Sequence, residues 1–356
     1  MIRGRPKIKR LLRQIESDPW AVDFLLSVFI AAALSYRNVV VLHPIPLSFL
    51  EEEATSRGPV RKADFSRLVG LVNRIPTVPE LMSLLRRSLT DTRLTPEEEE
   101  ILTVLEEVFE FFHFTTSTCT KSAFPKIKEL TAQTIETTEP NYVFEMIWEE
   151  EEEVRWQQLK GDRNTHFAYH GTRVDNIYSI LLNGLQQHRS RNGAYGEGTY
   201  LSSELSVSLL YSPHGMSWDK SLLGSSISCV AVCEVIDHPG VHQMSKPRKD
   251  QRSSHTCEFP QLPEKYLLVC NNELLRLRYI LVYSHQSPKN PRATETMWRA
   301  FLKRHKFLLL MTLYMVLLVQ KCHFVGIVDG ISVRKQHQHK LSLTLEKRKK
   351  SYSHIQ

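Results

Sequence analysis

Phe167-Ala168-Tyr169-His170-Gly171-Thr172, with Gly196-Glu197-Gly198-Thr199-Tyr200-Leu201-Ser202-Ser203 following so that Tyr200 lies thirty residues after His170, decides how this chain of 356 residues is read. The first run is extended in character and ends on a histidine with a glycine directly behind it. A glycine lets a ligand approach the backbone closely, so the pattern predicts a strand edge on which a flat amide docks. The second run is glycine-punctuated and delivers a tyrosine at the start of another extended segment, as a turn does that holds an aromatic face towards a ligand. Next comes Ser206-Val207-Ser208-Leu209-Leu210-Tyr211. A helix capped by Ser203 is expected there, with Ser208 and Tyr211 three residues apart on neighbouring faces.

A histidine, a bare glycine amide, a hydroxyl and two aromatic rings suit the nicotinamide of NAD, a flat cation with a carboxamide. Ring faces attract the cation, and the amide needs a donor and an acceptor. Each motif alone is common and usually structural; order and spacing make the combination specific. On these runs, and on Tyr211-Ser212-Pro213-His214-Gly215, Ser228-Cys229-Val230-Ala231-Val232-Cys233-Glu234-Val235-Ile236-Asp237-His238-Pro239 and Lys265-Tyr266 through Tyr283, the chain resembles the poly(ADP-ribose) polymerase family. The resemblance is to its tail-anchored, endoplasmic reticulum mono-ADP-ribosyltransferase member above all, and it runs from about Trp20 to about Trp298.

The resemblance implies that His170 hydrogen-bonds a ribose hydroxyl of NAD, that Gly171 binds the carboxamide through its backbone and Ser208 through its hydroxyl, and that Tyr200 and Tyr211 sandwich the ring. The third signature position falls at Tyr266, in register with the following Leu277-Arg278-Tyr279-Ile280-Leu281, so that His170, Tyr200 and Tyr266 form the catalytic set. Chain-elongating members carry glutamate there. A carboxylate can polarise the acceptor hydroxyl, whereas a phenol with an ordinary pKa of ~10 only hydrogen-bonds. The implied activity is therefore transfer of a single ADP-ribose to protein side chains, the chain's own included. Glu197 and Glu234 are the tempting substitute carboxylates, but nothing in the sequence aims either at the donor ribose, and structural or solvated roles are expected. Two other classes stay open: an NAD-binding membrane scaffold without transferase activity, and an NAD glycohydrolase.

The expected fold class is α+β: an N-terminal all-helical domain packed on a mixed or antiparallel split-sheet transferase domain, followed by a C-terminal apolar segment. The division is 1–17 basic extension, 18–130 helical domain, 131–288 catalytic domain, 289–306 basic linker, 307–328 transmembrane tail anchor and 329–356 basic polar tail. Asp18-Pro19 and Thr95-Pro96-Glu97 are helix starts, and Ile101, Leu102, Leu105, Val108, Phe109 and Phe112 repeat at helical spacing. From about Tyr142 strands dominate without regular βαβ alternation, and Val174 to Leu182 is an amphipathic helix closed by Gly184. No GxGxxG links a strand to a helix, which disfavours a hydride-transferring dehydrogenase.

The formal net charge of +7 gathers at the two ends, from Arg3 to Arg13 and at Lys347-Arg348-Lys349-Lys350, without interleaved aromatics. Solvated tails are expected there and no specific nucleic-acid partner. Glu149 to Glu153 is expected to be an exposed strand end or loop; without patterned His or Cys partners no metal is assigned. Six cysteines without a CxxC pair suit a reducing compartment. Phe307 to Val319 is apolar but short of the ~20 residues of a bilayer-spanning helix, and spans only by enlisting residues to Val328. With Trp298, Lys303, Arg304 and Lys306 before it, the segment is expected to anchor the chain in the endoplasmic reticulum membrane with the enzyme in the cytosol. NAD is the expected co-substrate; the expected partners are protein acceptors and the membrane.

Overall fold

Asp18 opens the helix around which the first third of the chain is assembled. In the computed structural model, which describes residues 5–55, 58–90, 93–185, 197–243 and 265–285, helix α1 (Pro6–Ser17) ends at Asp18 and helix α2 (Pro19–Leu34) begins there. The Asp18 carboxylate accepts from the Ala21 N–H at 3.0 Å, and Pro19 occupies the first turn, where no N–H is needed. Every residue of α2 from Ala21 to Ala33 is buried, as expected of a helix that is apolar all round and central to a core. Among the described residues no single helix is long and apolar enough to cross a membrane.

The basic start is a docked helix and not a solvated tail. Ile8, Leu11 and Ile15 recur at helical spacing and are buried, and Arg5 and Lys7 pair with Glu99 and Glu110, each at 2.5 Å. These ion pairs are partly exposed and contribute little; the apolar stripe holds α1 in place. After helix α3 (Asn38–Val41), a hairpin of strands β1 (Leu50–Thr55) and β2 (Gly58–Ala63) corrects the expectation of an all-helical N-terminal region. Opposite charges face each other across it, Glu51 to Lys62 and Glu52 to Arg61, which supports pairing without an apolar alternation. Helices α4 (Phe65–Val72), α5 (Val78–Ser88) and α6 (Pro96–Glu110) follow, the last opened by a capping box of Thr95 and Glu98.

The remaining elements are strand β3 (Phe114–Thr118), helix α7 (Ala123–Leu130), strand β4 (Tyr142–Trp148), helix α8 (Glu150–Lys160), strand β5 (Thr165–Thr172), helix α9 (Val174–Asn183), strand β6 (Thr199–Ser202), helix α10 (Leu205–Leu209), and strands β7 (Gly215–Met216), β8 (Ser226–Ile236), β9 (Val241–Gln243), β10 (Tyr266–Val269) and β11 (Leu275–Ser284). One sheet runs in the order β3-β4-β11-β8-β5-β6-β10-β9, with β7 beside β8, and every pairing is antiparallel. The sheet thus starts at Phe114, so a boundary at 130 would cut β3 and α7 away from it. β10 and β11 do not pair with each other: a 3-10 turn at Asn272–Leu274 sends the chain across to the other side of β8. Glu149 to Glu153 lies at the start of α8, not in a loop, with its acids in the first turn where the helix dipole favours them.

One apolar core joins the helices to a face of the sheet: Phe24 of α2 stacks on Phe144 at 4.5 Å and Phe29 meets Tyr178 of α9 at 5.4 Å. A smaller cluster on the other face packs Phe124, Ile127 and Leu205 around Tyr169, Val230 and Val232. Polar ties close the seam between helices and sheet. Asp18 accepts from Thr118 N–H at 2.7 Å, Tyr178 donates to the Pro44 carbonyl at 3.1 Å, and Asp23, wholly buried, accepts from Leu222 N–H at 2.9 Å and from the Ser221 hydroxyl. The segments 289–306, 307–328 and 329–356 lie outside the described residues.

Candidate active site

Strand β5 is central, between β8 and β6, and its two neighbours treat it differently. Against β8 it pairs over its whole length, from Thr165 opposite Ile236 to Thr172 opposite Cys229. Against β6 it pairs only at Tyr169 opposite Ser202. A continued antiparallel ladder would set Gly171 opposite Tyr200. Instead the His170 imidazole takes the Tyr200 carbonyl, with Nδ1 2.8 Å from it. A carbonyl only accepts, so Nδ1 carries the proton. The sheet splits at this point, and the Gly171 amide, on the same edge as that of Tyr169, faces the opening.

Helix α10 fixes the other wall. It begins at Leu205 with Glu204 as its cap residue and without a capping side-chain bond, so the expected cap at Ser203 is not formed; the Ser203 N–H donates to the Lys265 carbonyl. The Glu204 carboxylate accepts from the Thr134 hydroxyl at 2.6 Å and from the Thr134 and Ile135 N–H groups. Burial pushes its pKa up, but these hydrogen bonds outweigh it and hold the group below its ordinary value. Ser208 is buried, and its hydroxyl donates to the Tyr169 carbonyl at 3.1 Å. Tyr211 lies in the turn after α10, mostly exposed, its N–H donating to Ser208.

Gly171 fits this wall with no room to spare. A β-carbon there would lie 1.9 Å from the Ser208 carbonyl oxygen and 2.9 Å from Tyr211 Cβ. The structure therefore brings Gly171, Ser208 and Tyr211 together, with His170 and Tyr200 joined beside them. Tyr266 heads β10, opposite Ser202, two strands from β5, and is half-buried. Glu234 is far from the notch: it pairs with Phe167 across β5–β8 while Val230 stands opposite Gly171, and it accepts from Arg278 Nε at 2.7 Å. At Glu197 the backbone carbonyl lies 3.5 Å from the Cys270 thiol.

On its other face β5 borders a cleft of about 320 Å³ lined by His170, Thr172, Asn176, Ser179, Thr199 and Arg37 among others. Asn176 Nδ2 donates to the Thr172 hydroxyl at 2.9 Å. Burial pushes the His170 pKa down, only partly offset by the bond to Tyr200, so the ring is neutral at pH 7 and its Nε2 lone pair is an acceptor suited to a ribose hydroxyl. A bare amide edge at Gly171, an exposed aromatic face at Tyr211 and this acceptor fit the nicotinamide and a ribose of NAD. Asn176 and Thr172 form a one-turn polar pair that the sequence does not single out, and Arg37 comes from the helical region, more than a hundred residues away.

A family model described as the poly(ADP-ribose) polymerase catalytic domain matches residues 121–285, and one described as the ARTD15 N-terminal domain matches residues 13–109. Protein mono-ADP-ribosyltransferase PARP16 of Mus musculus and that of Homo sapiens are each 36% identical to this chain over 310 residues, covering 85% of this chain and 89% of theirs. Protein mono-ADP-ribosyltransferase PARP8 of Mus musculus is 30% identical over 122 residues, 26% of this chain and 14% of its own. The chain belongs to the poly(ADP-ribose) polymerase family and is an NAD+ ADP-ribosyltransferase.

Proposed function

We propose that the chain transfers single ADP-ribose units from NAD to protein side chains, its own included, and that the notch between β5 and β6 is where nicotinamide is held. The observation that carries this is the interrupted ladder: the His170 imidazole takes the Tyr200 carbonyl, which a continued ladder would set opposite Gly171. When bound, NAD supplies the nicotinamide–ribose bond that is broken. Gly171 N–H and C=O hold the carboxamide, and the Ser208 hydroxyl turns from Tyr169 to join them. Tyr200 and Tyr211 flank the ring, and His170 Nε2 accepts from a ribose hydroxyl. Holding the leaving group and the ribose in one orientation lowers the barrier by pre-organisation.

Tyr266 takes the place at which chain-elongating relatives carry a carboxylate, and a neutral phenol does not activate a ribose hydroxyl for chain growth. That supports single-unit transfer, as do the PARP16 relatives, which are mono-ADP-ribosyltransferases by name. The catalytic domain faces the cytosol, and the apolar segment 307–328 anchors it in the endoplasmic reticulum membrane; recovery of the full chain in the supernatant after alkaline carbonate extraction would refute that anchor.

The test of the activity is incubation of the full chain with adenylate-labelled NAD beside His170→Ala and Tyr200→Ala, followed by denaturing gel and mass analysis. Discrete additions of one ADP-ribose unit, lost in both variants, are expected. Nicotinamide release without labelled protein would make the chain a glycohydrolase, and NAD binding without either product a scaffold.

A further inference from the structure

The diphosphate of NAD carries two negative charges, and the cleft below His170 has a single charged side chain among the described residues that line it. That side chain is Arg37, and it belongs to the turn between α2 and α3, not to the sheet. We infer that Arg37 binds the diphosphate of the ADP half of NAD, so that the N-terminal helical region completes the co-substrate site.

The turn is built to present this residue. Asp175, in the first turn of α9 and only 4% exposed, accepts from the Ser35 hydroxyl at 2.8 Å, and the same Ser35 Oγ accepts from the Arg37 N–H at 3.1 Å. Ser35 thus pins the turn to α9 beside Asn176 and Thr172. Asp175 also meets two guanidiniums, Arg173 Nε at 3.2 Å and Arg37 Nη1 at 4.0 Å. Two cations on one carboxylate leave one net positive charge at this edge of the cleft, and Arg37 has the longer and looser of the two contacts. Its side chain, one-third exposed, keeps most of its donors for a ligand, and a guanidinium fork matches phosphate oxygens in bidentate fashion. The neutral His170 adds no competing charge. The remaining lining, including Val40, Ile180 and Leu185, is apolar or uncharged, which strengthens a lone charge contact.

This assignment rests on NAD binding in the notch beside Gly171, and three probes separate the two. Benzamide reports the nicotinamide end, ADP-ribose the end with phosphates, and adenosine the same end without them. With the full chain, Arg37→Ala is expected to weaken ADP-ribose about 10-fold, which is ~1.4 kcal/mol, to leave benzamide and adenosine within about twofold, and to raise KM for NAD more than it lowers kcat. Unchanged ADP-ribose affinity, or an equal loss for adenosine, overturns the phosphate contact while benzamide binding leaves the notch intact. Loss of benzamide in both Arg37→Ala and Arg37→Gln overturns it too, because Arg37 then serves the fold. A wild-type chain that binds neither benzamide nor ADP-ribose overturns the notch itself, and the Arg37 contact with it.

Discussion

The notch beside Gly171 and the seam around Asp23 are both places where the transferase sheet or its loops turn polar backbone away from a ladder, and the molecule treats them in opposite ways. At the seam, a side chain from α2 fills the gap: the Asp23 carboxylate takes the Leu222 N–H and the Ser221 hydroxyl, and Ser27 closes the group from the next turn. At the notch the Gly171 edge carries no side chain of its own, and even a methyl group added there would strike the backbone of Ser208. Buried polar groups are satisfied in stable folds. A site that keeps such groups turned towards an opening is one that a ligand completes, whereas one that spends a buried carboxylate on them is structural.

The sharpest way to break this contrast is to fill the notch. Gly171→Ala places Cβ 1.9 Å from the backbone oxygen of Ser208, and neither strand β5 nor the α10 turn can yield cheaply because both are pinned by neighbours. Overpacking of this kind costs ~1–3 kcal/mol or more. A lowered melting temperature and a loss of benzamide binding of at least ~100-fold are expected by calorimetry. Retained affinity in a folded Gly171→Ala protein would mean that the ligand does not use this edge.

The seam responds to pH instead. Burial, against hydrogen bonds from Leu222, Ser221 and Ser27, pushes Asp23 from 3.8 up to about 6. Between these values the folded state holds a proton that the unfolded state has released, so the stabilisation that Asp23 contributes is full below pH 3.8 and is lost as pH rises to about 6. The change is on the order of 3 kcal/mol. Chemical unfolding of Asp23→Asn relative to wild type should show a difference that moves in favour of the variant across that window and is flat above it. A difference independent of pH would show that Asp23 ionises normally.

Glu153 has the opposite slope. It is held at about 2, first by the hydrogen bond from Arg278, then by Gln157 and the charges of Arg278 and Arg276, against a smaller burial effect. Its contribution is present above pH 4.5 and is lost as pH falls from 4.5 towards 2. With a side chain 35% exposed, solvent screening reduces it to ~1 kcal/mol. Glu153→Gln should destabilise by about that much at pH 7 and by progressively less in acid, without altering benzamide binding.

Local chemistry was readable from the chain where one residue decides the outcome. Asp18-Pro19 starts α2, Thr95 caps α6, and Gly184, at φ +69°, ends α9 in a backbone conformation that favours glycine. Gly171, Ser208 and Tyr211 were also readable as a group, because forty residues of chain hold all three. The hairpin β1–β2 was not, since Glu51 to Glu53 and Arg61-Lys62 show no apolar alternation. Helix α1 was hidden by its own charge, although Ile8, Leu11 and Ile15 keep the helical period. The split between β5 and β6 depends on a register set by a single pair, and Arg37 enters the cleft through Ser35 and Asp175, 140 residues apart. No local pattern encodes either.

Ser208 is the finest test of the contrast between structural and ligand-facing polar groups, because its hydroxyl can serve as either. Without a ligand it is structural, donating to the Tyr169 carbonyl at 3.1 Å. To hold a carboxamide it must exchange that acceptor for the ligand oxygen, and the net value of one such exchange is ~1 kcal/mol. Ser208→Ala removes both bonds. The ligand-free protein then loses the bond to Tyr169, which lowers its melting temperature slightly. The complex loses the ligand bond, so benzamide affinity falls about fivefold by calorimetry. A variant that melts earlier but binds benzamide as tightly as wild type would give Ser208 a structural role alone, and the notch would then hold the amide through the Gly171 backbone and the tyrosine rings.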